Sequence, residues 1–204
     1  MGSTQELLTV TDDEVIGEAL AGRQRGYAAL VERYQRQVFR LIVRLIGDSG
    51  VAAELAQDTF LKAFRRLASF DRRRGFSPWL LRIAHNTAVD ARRRGRLDTV
   101  AVSEESARDR MGIASSAPGP DRQAEHRLML RDLEAGLGRL RPEHRTALHL
   151  RVQDDRSYAE IAYVMGVAEG TAKSYVHRAR RQLADDLRRA GWGGATDAAG
   201  SRIT

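Results

Sequence analysis

SYAEIAYVMGVAEGTAKSYVHRARR, running from Ser157 to Arg181, is the stretch whose reading decides the fold. It reads as two helices joined by a tight turn. Ser157 and Glu160 have the spacing of a capping box, in which the hydroxyl and the carboxylate each satisfy a free backbone N–H at a helix start. Ile161, Ala162 and Met165 follow as an apolar stripe at helical spacing. Gly166 ends that helix, most simply in the left-handed conformation that glycine adopts at little cost. Val167 plugs the turn. A second helix starts at Glu169 to Thr171 and turns Ala172, Val176, Ala179, Leu183 and Leu187 inward. A small residue, Ala162, with Gly166 four positions on lets two helices approach closely around a short turn. That is the requirement of a helix-turn-helix.

The other side of the second helix carries Thr171, Lys173, Ser174, His177, Arg178 and Arg181. These are donors and cations of the kind that read base edges and hold phosphates in a major groove. A lone basic helix reads as well as a hairpin with a solvated face. The capping box, the Ala-to-Gly spacing and the density of donors together favour the DNA-facing reading.

The chain of 204 residues has a net charge of +7 and no cysteine. The charge points to a polyanion as partner, although basic ribosomal and membrane-surface proteins share it. Without cysteine, neither a disulfide framework nor a Cys-ligated metal is possible. No apolar run approaches the ~18 residues of a membrane span. The start, MGSTQELLTVTDDE, lacks the apolar core of a signal peptide. We therefore expect no membrane insertion and a cytoplasmic location. Four prolines and no strand-like alternation predict an all-α fold.

Residues 1–10 read as disordered. Thr11 and Glu14 form a second capping box, opening a short helix with Val15, Ile16, Ala19 and Leu20 inward and Gly22 at its end. A longer helix runs from about Arg25 to Ile46, with Tyr27, Leu30, Val31, Tyr34, Val38, Leu41, Ile42 and Leu45 as a core stripe. The next, about Val51 to Leu67, buries Leu55, Thr59, Phe60, Ala63 and Phe64. Its other side shows Glu54, Gln57, Asp58, Leu61, Lys62 and Arg65. Two readings of Leu61 stand: an isolated exposed leucine, or the centre of a protein-docking patch.

The Phe70–Ser77 loop holds Arg72, Arg73 and Arg74 between two aromatics. Ser77 as N-cap and Pro78 in the first turn predict a helix to about Arg94. It faces inward with Leu80, Ile83, Ala84, Thr87 and Ala91, and outward with Arg82, His85, Asn86, Val89, Asp90 and Arg93. From Gly22 to Gly95 there are sixteen Lys/Arg against six Asp/Glu, so the basic excess is local, as a binding surface requires. Cations beside rings suit single-stranded nucleic acid, where bases stack at ~1–3 kcal/mol each. Phe70, Phe76 and Trp79 read equally as core residues anchoring a solvated loop.

Residues 97–121 are rich in Ser, Ala and acidic residues and carry no stripe, which predicts a flexible linker. The expected organisation is two small helical domains, 11–96 and 122–190, joined by that linker, with a disordered tail at 191–204. In the second domain Ala124, Leu128, Leu130, Leu133 and Leu137 mark one helix, weakened near its end by Gly136 and Gly138. Arg141-Pro142 starts another, with Ala147, Leu148, Leu150 and Val152 inward.

The order and detail of these blocks resemble the extracytoplasmic-function sigma factors of bacteria, over roughly Thr11 to Arg189. AELAQDTFLKAFRRL (Ala53 to Leu67) is similar to the region two helix of that family. FSPWLLRIAHNTAVDARRR is similar to its promoter-melting and −10-reading segment. LRPEHRTALHLR with SYAEIAYVMGVAEGTAKSYVHRARRQL is similar to region four. The resemblance implies that Glu54, Gln57, Asp58 and Leu61 grip the clamp helices of the RNA polymerase largest subunit. It implies that Arg72, Arg73, Arg74, Phe76, Trp79, Arg82, Asn86 and Arg93 open and hold the −10 element, with one unpaired base captured between loop and helix. It implies that Thr171, Lys173, Ser174, His177, Arg178 and Arg181 face the −35 major groove. The polymerase flap, promoter DNA and an anti-sigma factor are the other implied partners. Several positions depart from the pattern: Arg23 stands where Asp would cap a helix, Ala172 where Val is usual, Tyr175 where Arg is usual, and Arg72 to Arg74 make the −10 loop more basic than the family requires.

The alternative is a stand-alone helix-turn-helix regulator with an N-terminal sensor or dimerisation domain. An enzyme is not expected. There is no phosphate-binding Gly-rich loop with Lys, no His-Glu-x-x-His pattern and no Gly-x-Ser-x-Gly elbow. His144 and His149 read as surface or satisfied residues rather than metal ligands. No cofactor or metal is expected.

Overall fold

The computed structural model describes residues 10–94 and 120–192, with backbone only for 120–124. Among the described residues there are eight α-helices, two short 3-10 turns and no strand. The first bundle holds α1 (Asp12–Leu20), α2 (Gln24–Ile46), α3 (Ser49–Arg65) and α4 (Phe76–Arg93). The second holds α5 (Pro120–Arg139), α6 (Pro142–Val152), α7 (Tyr158–Met165) and α8 (Glu169–Arg189). The predicted linker falls on residues outside the described ones, apart from the first turn of α5. So do the N-terminal segment up to residue 9 and the tail from 193.

Local rules account for most helix ends. Both capping boxes form: Thr11 accepts from the Glu14 N–H while Glu14 accepts from the Thr11 N–H, and Ser157 and Glu160 repeat the arrangement. Asp48 caps α3 by accepting the Val51 N–H at 2.8 Å. Arg23 makes no cap bond at the start of α2 and turns back to Glu18 of α1 instead. Pro142 sits in the first turn of α6, where no N–H is missed.

In the first bundle, Ile16, Leu30, Leu41, Ile42 and Leu80 are essentially fully buried and form one core. Such side chains each stabilise by roughly 1.5–3 kcal/mol on burial. Close approach of α1 and α2 requires Gly26: a Cβ there would lie 2.4 Å from the backbone nitrogen of Ala19. In the second bundle, Ile161, Val164, Ala172, Val176 and Ala179 lock α7 to α8. Gly136 lets α5 cross α8, since its Cβ would meet the Leu183 Cδ1 at 2.7 Å.

Five expectations are corrected, the first being Leu20, expected inward on α1 and 46 % exposed. α4 begins at Phe76, with Gly75 as its N-cap at φ +72. The Ser77 hydroxyl is inside the helix; it donates to Gln37 at 2.8 Å and accepts from Arg156. Val152 is 60 % exposed and Leu128 is exposed, while His144, Thr146 and His149 are buried on α6. For α6 the reason lies in its position. Besides its own bundle it meets α2 of the other, so its buried arc is displaced from the apolar stripe. The chain also stays docked past residue 190. Trp192 is partly buried and donates its indole N–H to Asp132 at 2.8 Å.

The two bundles pack against each other, α4 on α7 and α2 on α6. α4 is buried on two adjacent arcs. One is the predicted stripe of Leu80, Ala84, Thr87 and Ala91; the other adds Pro78, Leu81 and Ala88, roughly a quarter to a half turn round the helix. The joint is edged with polar groups. Arg44 reaches His149 and Gln153, Arg40 lies 3.8 Å from Asp154, and Arg82 donates to the Tyr163 carbonyl at 3.0 Å.

Candidate nucleic-acid interface

Three surfaces carry the predicted site residues. On α8, Lys173, His177, Arg178 and Arg181 are exposed, and Thr171 and Ser174 are half-exposed. Ala172, Val176 and Ala179 lie beneath them, almost fully buried. The 3.6-residue period separates the two sets, so the apolar set fixes the helix and the donor set is free to face outward. The turn ahead of α8 is held by Gly166 at φ +68 and by the Val167 N–H, which donates to the Ala162 carbonyl at 3.0 Å. Lys173, Arg178 and Arg181 make no ion pair with any described residue.

Tyr175 is not part of the outward face. It is half-buried, with its ring 5.2 Å from that of His144 on α6. Burial holds the His144 imidazole below its usual basicity, and the Arg178 and Arg141 cations push the same way. At the far end of α8 the buried Asp186 carboxylate accepts from Arg139 at 3.0 Å and from Arg189, which ties α5 to α8.

The loop ahead of α4 presents Arg72, Arg73 and Arg74, all exposed, on a 3-10 turn capped by Asp71. Arg72 lies 3.5 Å from Asp13 of α1, and Arg74 lies 3.9 Å from Asp71. Asn86 and Arg93 are exposed on α4, and Trp79 is half-buried. Phe76 is 2 % exposed, packed against Tyr34, Phe70 and Trp79 with ring centres 5.2–5.6 Å away. Its ring is a core element, so it is not available to stack on a base. Arg82 is engaged by α7: its guanidinium carbon lies 4.7 Å from the Tyr163 ring centre, and that of Arg74 lies 4.9 Å from it. Beside them His85 is largely buried, its Nδ1 has no partner, and desolvation lowers its basicity.

On α3, Glu54, Gln57, Asp58 and Leu61 form one exposed stripe at i, i+3, i+4 and i+7, with Leu61 55 % exposed. The opposite side buries Leu55, Phe60 and Ala63, and the Thr59 hydroxyl is satisfied by the Leu55 carbonyl at 2.7 Å.

Sequence reasoning missed Tyr163 and the Arg44–His149–Asp154 cluster. Tyr163 carried one signal. It is an aromatic at an outward position of α7, between the buried Ala162 and Val164.

No described helix is long and apolar enough to cross a membrane. The Sigma-70 region 2 family model matches residues 30–97, and the Sigma-70 region 4 model matches residues 130–183. The chain is 36 % identical over 159 residues to the ECF RNA polymerase sigma factor SigE of Mycolicibacterium smegmatis, a match spanning 78 % of this chain and 60 % of that protein. It is 36 % identical over 180 residues to the RNA polymerase sigma-H factor of Pseudomonas aeruginosa, covering 84 % of this chain and 91 % of that one. Among solved structures it is similar to the sigma factor RpoE in complex with the anti-sigma factor NepR from Bartonella quintana. The TM-score is 0.57 at 28 % identity, over 79 % of this chain and 96 % of that one. With region 2 in its first bundle and region 4 in its second, this chain belongs to the ECF sigma factors of bacterial RNA polymerase.

Proposed function

We propose that the chain binds core RNA polymerase in the cytoplasm and directs promoter-specific initiation. The observation that carries this reading is the outward donor face of α8, with Ala172, Val176 and Ala179 sealed beneath it. In this reading Arg178 makes the specifying contact in the −35 major groove. A bidentate Arg–guanine pair discriminates by ~1–3 kcal/mol. Thr171, Ser174 and His177 contribute further edge contacts, while Lys173 and Arg181 hold phosphates.

The α3 stripe of Glu54, Gln57, Asp58 and Leu61 docks on the polymerase clamp helices. Arg72, Arg73, Arg74, Trp79, Arg82, Asn86 and Arg93 hold the melted −10 strand, where cations follow phosphates and a flipped base replaces lost stacking. The residues between the bundles pass through the polymerase, and the second bundle also meets the flap. An anti-sigma factor binds the protein and holds it inactive; what supports a partner of this kind is that the solved relative RpoE is in complex with one, NepR. The chain acts by binding and positioning, without catalytic residues or a cofactor of its own.

The test is transcription by core polymerase with and without the protein, with sequencing of the 5′ ends. The expected result is a set of starts that appear only with the protein and share −35 and −10 elements. A band shift separates the rival reading: a stand-alone regulator binds duplex promoter DNA without polymerase, whereas this protein needs the core enzyme.

A further inference from the structure

Arg74 and Arg82 come from different elements, a 3-10 turn and a helix. Both guanidiniums nevertheless lie within 5 Å of one ring centre, that of Tyr163. A planar cation over an aromatic face is an attractive pair. Arg82 adds a second bond, donating to the Tyr163 carbonyl at 3.0 Å. That carbonyl belongs to the last turn of α7, where carbonyls lack intrahelical partners and the helix dipole favours a cation. One arginine therefore caps the helix and grips the ring that the helix carries. Around it, α7 packs on α4, which buries Pro78 and Leu81 on an arc away from its own-bundle stripe. Arg156, just ahead of α7, fastens the same edge by donating to Ser77.

We propose that Arg74 and Arg82 form a ring-binding site for one unpaired nucleobase, and that Tyr163 fills it in the closed chain as an internal stand-in for that base. The proposal rests on the −10 reading of these two arginines given above. It follows that the melted strand and the second bundle compete for one surface. The free protein binds single-stranded DNA weakly, because only its open fraction is competent. Any event that lifts α7 from α4 exposes the site. Mounting the two bundles on separate patches of polymerase is such an event.

The chain has no cysteine, so dyes can be placed at will. Labels at Ala53→Cys and Ala168→Cys, both exposed positions, report closure by energy transfer. Anisotropy of a labelled non-template strand carrying the −10 element reports binding. Both are measured on the full chain and on its Tyr163→Ala and Tyr163→Phe variants. Tyr163→Ala is expected to lower energy transfer and to tighten strand binding about tenfold. Tyr163→Phe keeps the ring and is expected to match the parent in both. Unchanged transfer in Tyr163→Ala overturns the proposal. So does lowered transfer without tighter binding. In that second case a repeat with polymerase holoenzyme places the fault. A strand that the holoenzyme binds condemns the ring site alone, and one that it ignores condemns the −10 reading.

Discussion

His149 Nε2 and Asp154 Oδ2 face each other at 3.5 Å in the joint between the bundles, both almost fully buried, and they are not an ion pair. Arg44 donates to the same Nε2. An arginine cannot accept, so this nitrogen carries no proton and the imidazole is neutral. Asp154 Oδ2 is left without a hydrogen bond, and burial raises the carboxyl above its usual range against the opposing pull of Arg40 and Gln37.

Acid therefore acts first through His149. Burial, followed by the Arg44 and Arg40 cations, lowers its pKa from 6.5 to about 2. Above pH 6.5 it is neutral folded or unfolded, and nothing is lost. Below that value only the unfolded chain takes up the proton, and each further pH unit costs about 1.4 kcal/mol of stability. His85 and His144, also lowered by burial, act in the same direction. Asp154 has the opposite sign, because protonation relieves its burial, and it offsets the loss only towards the carboxylate range. Thermal melts between pH 8 and about 5 should show a steep fall below 6.5. His149→Gln, which keeps an acceptor for Arg44, should flatten that fall by one proton's worth. An equal slope in parent and variant would exclude His149 as the cause.

Two glycines at helix crossings should respond unequally to alanine. At Gly26 the new methyl meets backbone of α1, which cannot move aside. Gly26→Ala should cost about 3 kcal/mol. At Gly136 the obstacle is the tip of Leu183, a side chain that can rotate. There the gain in helix propensity, about 1 kcal/mol, offsets the crowding, and stability should stay within about 1 kcal/mol of the parent. Urea denaturation of both variants checks the contrast.

Leu61→Asp should separate docking from folding. The side chain is 55 % exposed, and surface changes away from special features stay within about 0.5 kcal/mol. The melting temperature should hold while affinity for core polymerase falls at least about tenfold. A parent-like affinity would remove α3 from the docking surface.

Replacing Arg72, Arg73 and Arg74 together by alanine should lower the salt dependence of holoenzyme binding to pre-melted promoter DNA. Each phosphate contact on a single strand contributes about 0.7 to the slope of log affinity against log salt, so a reduction of about 2 is expected. An unchanged slope would mean that the three cations stay with Asp13, Asp71 and Tyr163 rather than meeting DNA.

Much of the architecture was legible because it is local. Thr11 with Glu14, Ser157 with Glu160 and the left-handed Gly166 set helix ends through contacts three or four residues long. The Ala172–Val176–Ala179 stripe set the outward face of α8 by periodicity alone. Residues at the joint were not legible. Arg44 and His149 are 105 positions apart, and no periodic pattern relates them. Ser77 looked like a cap because the Ser-Pro pair favours one, yet Gly75 at φ +72 starts the helix earlier and frees the hydroxyl for Gln37. Phe76 and Trp79 were indistinguishable by residue type, and only packing sent one ring to the core.

The dual employment proposed for Arg74 and Arg82 would set a limit on how this protein can change. Substitutions that strengthen their hold on a nucleobase also strengthen their hold on Tyr163, so gains in promoter opening arrive with a deeper resting state. Potency and silence are coupled through two side chains, and selection can slide the molecule along that line but not off it unless Tyr163 itself is altered.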